Sequence, residues 1–110
     1  MANQLDTFFG AIADPTRRAV IERLVTGPAS VSELAEPHDM ALPSFLKHLN
    51  KLEQAGLIRT IKTGRTRTAY IEPAPLAQAE HWLARQRKLW EGRLDRLALL
   101  AEQLEREDKK

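Results

Sequence analysis

The sequence predicts a mostly α-helical chain with one small β-hairpin, its elements in the order ααααββα. Three observations carry that prediction. Leu42, Phe45, Leu46, Leu49 and Leu52 fall at i, i+3, i+4 and i+7, the spacing of a helix that buries one face. After Gly56 the period becomes that of strands, with Leu57, Ile58, Thr60 and Ile61 before a Thr63-Gly64-Arg65 turn signal and Thr66 to Ile71 after it. From Leu76 onward an apolar residue recurs at every seventh position (Leu76, Leu83, Trp90, Leu97, Leu104), the mark of a helix-pairing seam.

Each element has its own signals. Leu5, Phe8, Phe9 and Ile12 give an apolar-faced helix over residues 3–12, and Asp14-Pro15 marks a break and restart with Asp14 as N-cap. The second helix, Pro15 to Val25, buries Ala19, Val20, Ile21 and Leu24 and turns Arg17, Arg18 and Glu22 to solvent. Gly27-Pro28 stops it, and Ser30 with Glu33 three residues later forms a capping box that opens a third helix, Val31 to Glu36. Pro37-His38-Asp39 is a turn. The fourth helix follows, with Asp39 as its cap, Pro43 in its first turn and Gly56 as its left-handed stop.

The hairpin occupies residues 57–72, with Gly64 at the tip. Between Arg59 and Arg67 it carries Arg59, Lys62, Arg65 and Arg67 and no acid, a charge arrangement suited to a phosphate backbone. Pro73 and Pro75 end the strands. A last helix runs from Leu76 to Glu105, and its length of about 45 Å is too great for its apolar stripe to be buried on so small a domain. Leu83, Trp90, Leu94, Leu97 and Leu104, with Leu5, Phe8 and Phe9 of the first helix, are therefore read as a homodimer interface.

The composition sets bounds. A chain of 110 residues is one domain, and a net charge of +2 is too modest for a protein that coats nucleic acid. The charge is local: the hairpin is strongly positive, whereas the residues before it hold more acids than bases. Without cysteine there are no disulfides and no thiolate chemistry. No apolar run approaches a membrane span, and MANQLDTFF lacks the regions of a signal peptide, so no membrane association and a cytoplasmic location are expected. No glycine-rich phosphate loop and no nucleophile, base and acid constellation is present, so neither catalysis nor a cofactor is expected.

Residues 42–58, LPSFLKHLNKLEQAGLI, followed by a basic, glycine-tipped hairpin, resemble the recognition helix and wing of the ArsR-type family of bacterial winged helix-turn-helix repressors. ADPTRRAVIERL at residues 13–24 and SVSELAE at 30–36 resemble the family's second helix and the first helix of its helix-turn-helix. The resemblance implies one winged helix-turn-helix domain over residues 1–110, with dimerisation helices at 1–13 and 76–105, the helix-turn-helix at 30–56 and the wing at 57–72. It implies a double-stranded DNA operator as partner, read by a homodimer. Ser44, Lys47 and His48 would enter the major groove, with Lys51 one turn later. The wing's Arg59, Lys62, Arg65 and Arg67 would meet phosphates. Arg17 or Arg18 would touch the DNA backbone, unless an ion pair with Asp14 or Glu22 holds them.

The family's metal sites do not carry over. Ser30 and Ser32 stand where thiolate-type sensors have cysteines, and a hydroxyl is a poor ligand for a soft ion. His81 has no second histidine after it and lies near Arg85, Arg87 and Arg93, while His38-Asp39 offers only two adjacent ligands. HWLARQRKLWEGRLDRL at residues 81–97 resembles a metal-ligand-free branch encoded beside a small lipid- or hydrophobe-binding protein, which implies a local or autoregulatory repressor. Release by a small molecule near Trp82 and Trp90, by a protein inducer or by no inducer is left open. So are two alternatives: a metal-responsive sensor built from His, Asp and Glu, and a protein-interaction module that has lost DNA binding.

Overall fold

Side-chain caps and prolines set where the helices begin. In the computed structural model, which describes residues 3–108, α1 (Gln4–Ile12) starts at Asn3, whose side chain and that of Asp6 form a reciprocal capping box. Helix α2 (Pro15–Val25) starts behind Asp14, which accepts from the Arg17 backbone N–H, with Pro15 preset for the first turn. Helix α3 (Val31–Ala35) starts behind Ser30 in the expected capping box with Glu33. The recognition helix α4 (Leu42–Gln54) differs: its N-cap is Ala41, no side chain caps it, and Asp39 does not take that role. Alanine has no side-chain oxygen to offer, and Pro43 at the second helical position leaves only the Ser44 N–H for a cap to serve.

Strand β2 (Ile58–Thr63) and strand β3 (Thr66–Ile71) form the hairpin, with Ile58 opposite Ile71 and Thr63 opposite Thr66. Gly64 has φ +62° and Arg65 is not in the left-handed region, the type II′ pattern of a two-residue hairpin loop. A third strand was not legible in the sequence. Strand β1 (Ala29–Ser30) pairs antiparallel with β3, Ala29 opposite Ala69, to give the sheet order β1-β3-β2. Two residues are too few to show alternation, and the pairing is long-range.

The chain divides into two units, residues 1–79 and 80–110, and helix α5 (Ala74–Asp108) begins in the first and continues as the second. The core of the first unit is led by Phe45, Leu24, Leu52, Ile58 and Val20, with Leu34, Leu49, Leu57 and Ala69 around them. The recognition helix thus hangs on Phe45, Leu49 and Leu52. At 100° per residue, Leu42 and Leu46 fall at the edge of that stripe, and they are 54% and 39% exposed rather than buried as the spacing suggested. Of the first-helix residues expected at a dimer interface, Phe8 is 4% exposed and belongs to the core of its own subunit, and Leu5 and Phe9 are half-buried. In the second unit the seam residues Leu83, Trp90, Leu94, Leu97 and Leu104 are all between 51% and 61% exposed.

Because Phe45 fills the centre of this core, Phe45→Ala should lower the unfolding free energy by about 3–5 kcal/mol. A urea titration should show the midpoint falling with its slope unchanged.

Candidate nucleic-acid interface

Opposite its buried stripe, α4 presents Ser44, Lys47 and Lys51, all exposed. Neither lysine makes an ion pair among the described residues. The helix is tied to the hairpin by Glu53, whose Oε1 accepts from the Thr60 backbone N–H at 3.2 Å and from Thr60 Oγ1 at 2.9 Å. Gly56, with φ +73°, supplies the left-handed residue that turns the chain from the end of α4 into β2.

Strand register sorts the hairpin's cations onto two faces. Ile58, Thr60 and Lys62 share one face with Ile71, Ala69 and Arg67, so the face that is core at Ile58 and Ala69 ends in Lys62 directly opposite Arg67. Like charges opposite each other destabilise a hairpin, and no acid pairs with either of them among the described residues. Arg65 stands beside them in the loop, exposed. Arg59 is on the other face: its Nε lies 2.6 Å from Glu72 Oε1 and its guanidinium stacks over Tyr70 at 4.9 Å. The acid-free run seen in the sequence omitted Glu72, which the fold brings back to Arg59.

Behind α4 lies a polar cluster that joins three helices. Arg17 is 8% exposed, and its side chain donates from Nε to the Ala11 carbonyl at 2.6 Å and from Nη2 to the Gly10 carbonyl at 3.2 Å, at the end of α1. Its Nη1 lies 3.1 Å from Nδ1 of His48 on α4. Asp14 Oδ2 stands 3.6 Å from the same ring nitrogen and accepts the Arg17 backbone N–H at 3.1 Å. Burial works to raise the Asp14 carboxyl, but the backbone N–H groups of Arg17 and Thr16 and the charge of the Arg17 guanidinium work against it, and its pKa lies below the ordinary carboxylate value.

Known proteins share this fold. Residues 12–61 match a family model described as a helix-turn-helix domain. The chain is 39% identical over 72 residues to the HTH-type transcriptional regulator Rv2034 of Mycobacterium tuberculosis, which spans 66% of this chain and 67% of that protein. It is 30% identical over 79 residues to the transcriptional repressor SdpR of Bacillus subtilis, spanning 72% of this chain and 88% of that one. A crystal structure of an ArsR family transcriptional regulator superimposes with a TM-score of 0.78 at 61% identity, over 81% of this chain and 98% of its own. The chain belongs to the ArsR family of transcriptional regulators. An ArsR-like regulator from Rhodococcus sp. RHA1 is also similar, with a TM-score of 0.75 at 30% identity over 89% of this chain and 92% of that one. The family is one of regulators and not of enzymes, as the sequence led one to expect.

Within this ArsR family frame the expected site residues separate. Ser44, Lys47, Lys51, Lys62, Arg65 and Arg67 are exposed and available. Arg17, expected to face solvent, is buried and its guanidinium is committed to α1 and His48. Arg18 remains exposed but donates to the Ile12 carbonyl at 2.8 Å, so both arginines of the pair hold the end of α1, and among the described residues neither guanidinium pairs with Asp14 or Glu22. His48, expected on the open face, is half-buried against Arg17. His38 stacks on the buried Phe45 ring at 5.3 Å, and Ser30 is engaged with Glu33. Among the described residues, no three His, Asp or Glu side chains are placed to hold a metal ion together, and no helix is long and apolar enough to cross a membrane. Glu53 and Glu72 were missed, because each acts through a partner that only the folded hairpin brings close.

The lowered pKa of Asp14 fixes the sign of a pH effect. The unfolded chain takes up a proton at this carboxyl before the folded one does, so the contribution is complete above the ordinary Asp pKa and is lost as pH falls through the folded value. Asp14→Ala should cost about 1 kcal/mol at neutral pH through the lost cap, and the loss should shrink in acid, as thermal melts of both proteins across pH 2 to 7 would show.

Proposed function

We propose that this ArsR family member is a homodimeric transcriptional repressor that binds a pseudo-palindromic DNA operator, works in the cytoplasm and does not take a metal ion as its effector. The observation that carries this reading is the wing: Lys62 and Arg67 stand directly opposite each other with Arg65 at the loop, and among the described residues no acid is paired to any of them. That juxtaposition is unfavourable in the free chain and is relieved when phosphate oxygens come between the cations. On α4, Lys47 can donate to guanine O6 and N7, Ser44 can take either role, and Lys51 lies one turn further along. The name of its relative SdpR, a transcriptional repressor, supports repression over activation.

The exposed seam of α5 supports pairing of two copies. Leu83, Trp90, Leu94, Leu97 and Leu104 recur at coiled-coil-like intervals and are uncovered in the single chain. Two recognition helices in such a dimer would read half-sites about 34–36 Å apart, one turn of B-DNA. The non-metal reading rests on donor chemistry: Ser30 and His38 are held in structural contacts, and arginines dominate the helix around His81. The DNA upstream of the chain's own gene is the first operator candidate.

A binding titration across a salt series tests this. Wild type should prefer one duplex over random DNA, with log affinity falling steeply against log salt. Lys62→Ala/Arg67→Ala should flatten that slope by about one unit for each phosphate left without its cation and keep the preference, whereas Lys47→Ala should reduce the preference. Equal binding to all duplexes, with neither variant differing, would sink the repressor reading. Sedimentation equilibrium should find a dimer that Leu97→Asp converts to monomer; a monomeric wild type would remove the pairing.

A further inference from the structure

We infer that Arg17 is a positioning residue that fixes the tautomer of His48, so that the recognition helix carries a neutral imidazole whose only free hydrogen-bonding group is an Nε2–H donor. Arginine has donors and no acceptor. With Arg17 Nη1 at 3.1 Å, His48 Nδ1 must offer its lone pair, and the ring proton is left on Nε2. The guanidinium cannot swing away, because Nε and Nη2 are bound to the Ala11 and Gly10 carbonyls and the residue is buried. Asp14 Oδ2, at 3.6 Å, is outside hydrogen-bond reach of Nδ1. A proton on Nδ1 would set two donors against each other.

Nε2 makes no bond to the protein, yet no buried side-chain nitrogen or oxygen lacks a partner among the described residues, so Nε2 reaches solvent. The consequence for DNA rests on the repressor reading above. A fixed N–H donor accepts no bond from the amino groups of adenine or cytosine. It recognises an acceptor: purine N7, guanine O6, thymine O4 or a phosphate oxygen. Arg17, which touches no DNA, would then help set which bases the helix tolerates.

Long-range proton–nitrogen NMR on the free wild-type protein at neutral pH tests the tautomer without any DNA and without a variant. The expected spectrum shows His48 with Nδ1 bare and Nε2 protonated, and Arg17→Met, if folded, with both tautomers present. A proton on Nδ1 in wild type overturns the inference. The DNA arm uses a duplex selected from a random pool by the wild-type protein. His48→Ala should lower its preference over random duplex by about tenfold, and one of 7-deazapurine, 6-thioguanine, 4-thiothymine or methylphosphonate substitution at one position should cost wild type a similar factor while costing His48→Ala nothing. Loss with the deazapurine identifies a base acceptor, loss with the methylphosphonate a phosphate. Loss with a thio base likewise identifies a base acceptor; no loss with any of the four overturns the proposed bond to DNA, and failure of wild type to select any duplex would instead fall on the repressor reading, leaving the NMR result standing.

Discussion

A buried guanidinium is tolerable only if its nitrogens find acceptors, and Arg17 gives each of its three one partner by drawing three helices to one point. It belongs to α2, its side chain binds two carbonyls at the end of α1, and it reaches the ring of His48 on α4. The Ala11 carbonyl is one of the acceptors that a helix end leaves, and the Gly10 carbonyl also receives the Ala13 backbone N–H, so one side chain satisfies itself and helps close the end of α1. The hydrophobic core sets how deep α4 sits, through Phe45, Leu49 and Leu52, but apolar packing is non-directional. The polar cluster adds direction, because its bonds close only when the helix is correctly rotated about its axis.

The hairpin applies the same accounting with the opposite result. Arg59 is given both an acid and an aromatic face, Glu72 and Tyr70, and so behaves as part of the sheet. Lys62 and Arg67 are given neither, although they stand opposite each other where a single Asp or Glu would have relieved them. Four cations that look equivalent in the sequence are thus divided by strand register into one that holds structure and three that are held in reserve. Glu53 fixes where that reserve is presented, since its two bonds to Thr60 tie the root of the wing to the end of the recognition helix.

This division explains what is legible in the sequence. Helix α2 is legible to both ends, and α1, α3 and α4 nearly so, because caps, prolines and glycines act within a few residues: Asp14, Ser30 with Glu33, Pro15 and Gly56 do locally what their positions suggest. The hairpin is legible for the same reason, through Gly64. The partners of charged side chains are not, because partnership spans the fold. Nothing near Arg17 in the chain predicts a bond to His48, and nothing near Arg59 predicts that Glu72 returns to it. Leu42 and Leu46 fail differently: a spacing rule tells which residues share a stripe, and only the packed neighbours decide how wide the covered part is.

The burial of Phe8 bears on the proposed dimer. With Phe8 in the core and Leu5 and Phe9 half-buried, α1 has little apolar area left to offer a second copy. The weight falls on α5, where leucines and a tryptophan recur at seven-residue intervals and stay uncovered in the single chain. Glu80 and Arg87 interrupt a neighbouring seam position, and Arg87 pairs with Glu91 one turn on, so the seam is mixed and not continuously apolar. Such a seam favours one register, because a shifted pairing would press charges against leucines without partners. Register in α5 would in turn set the separation of two reading heads, which is the quantity a pseudo-palindromic site has to match.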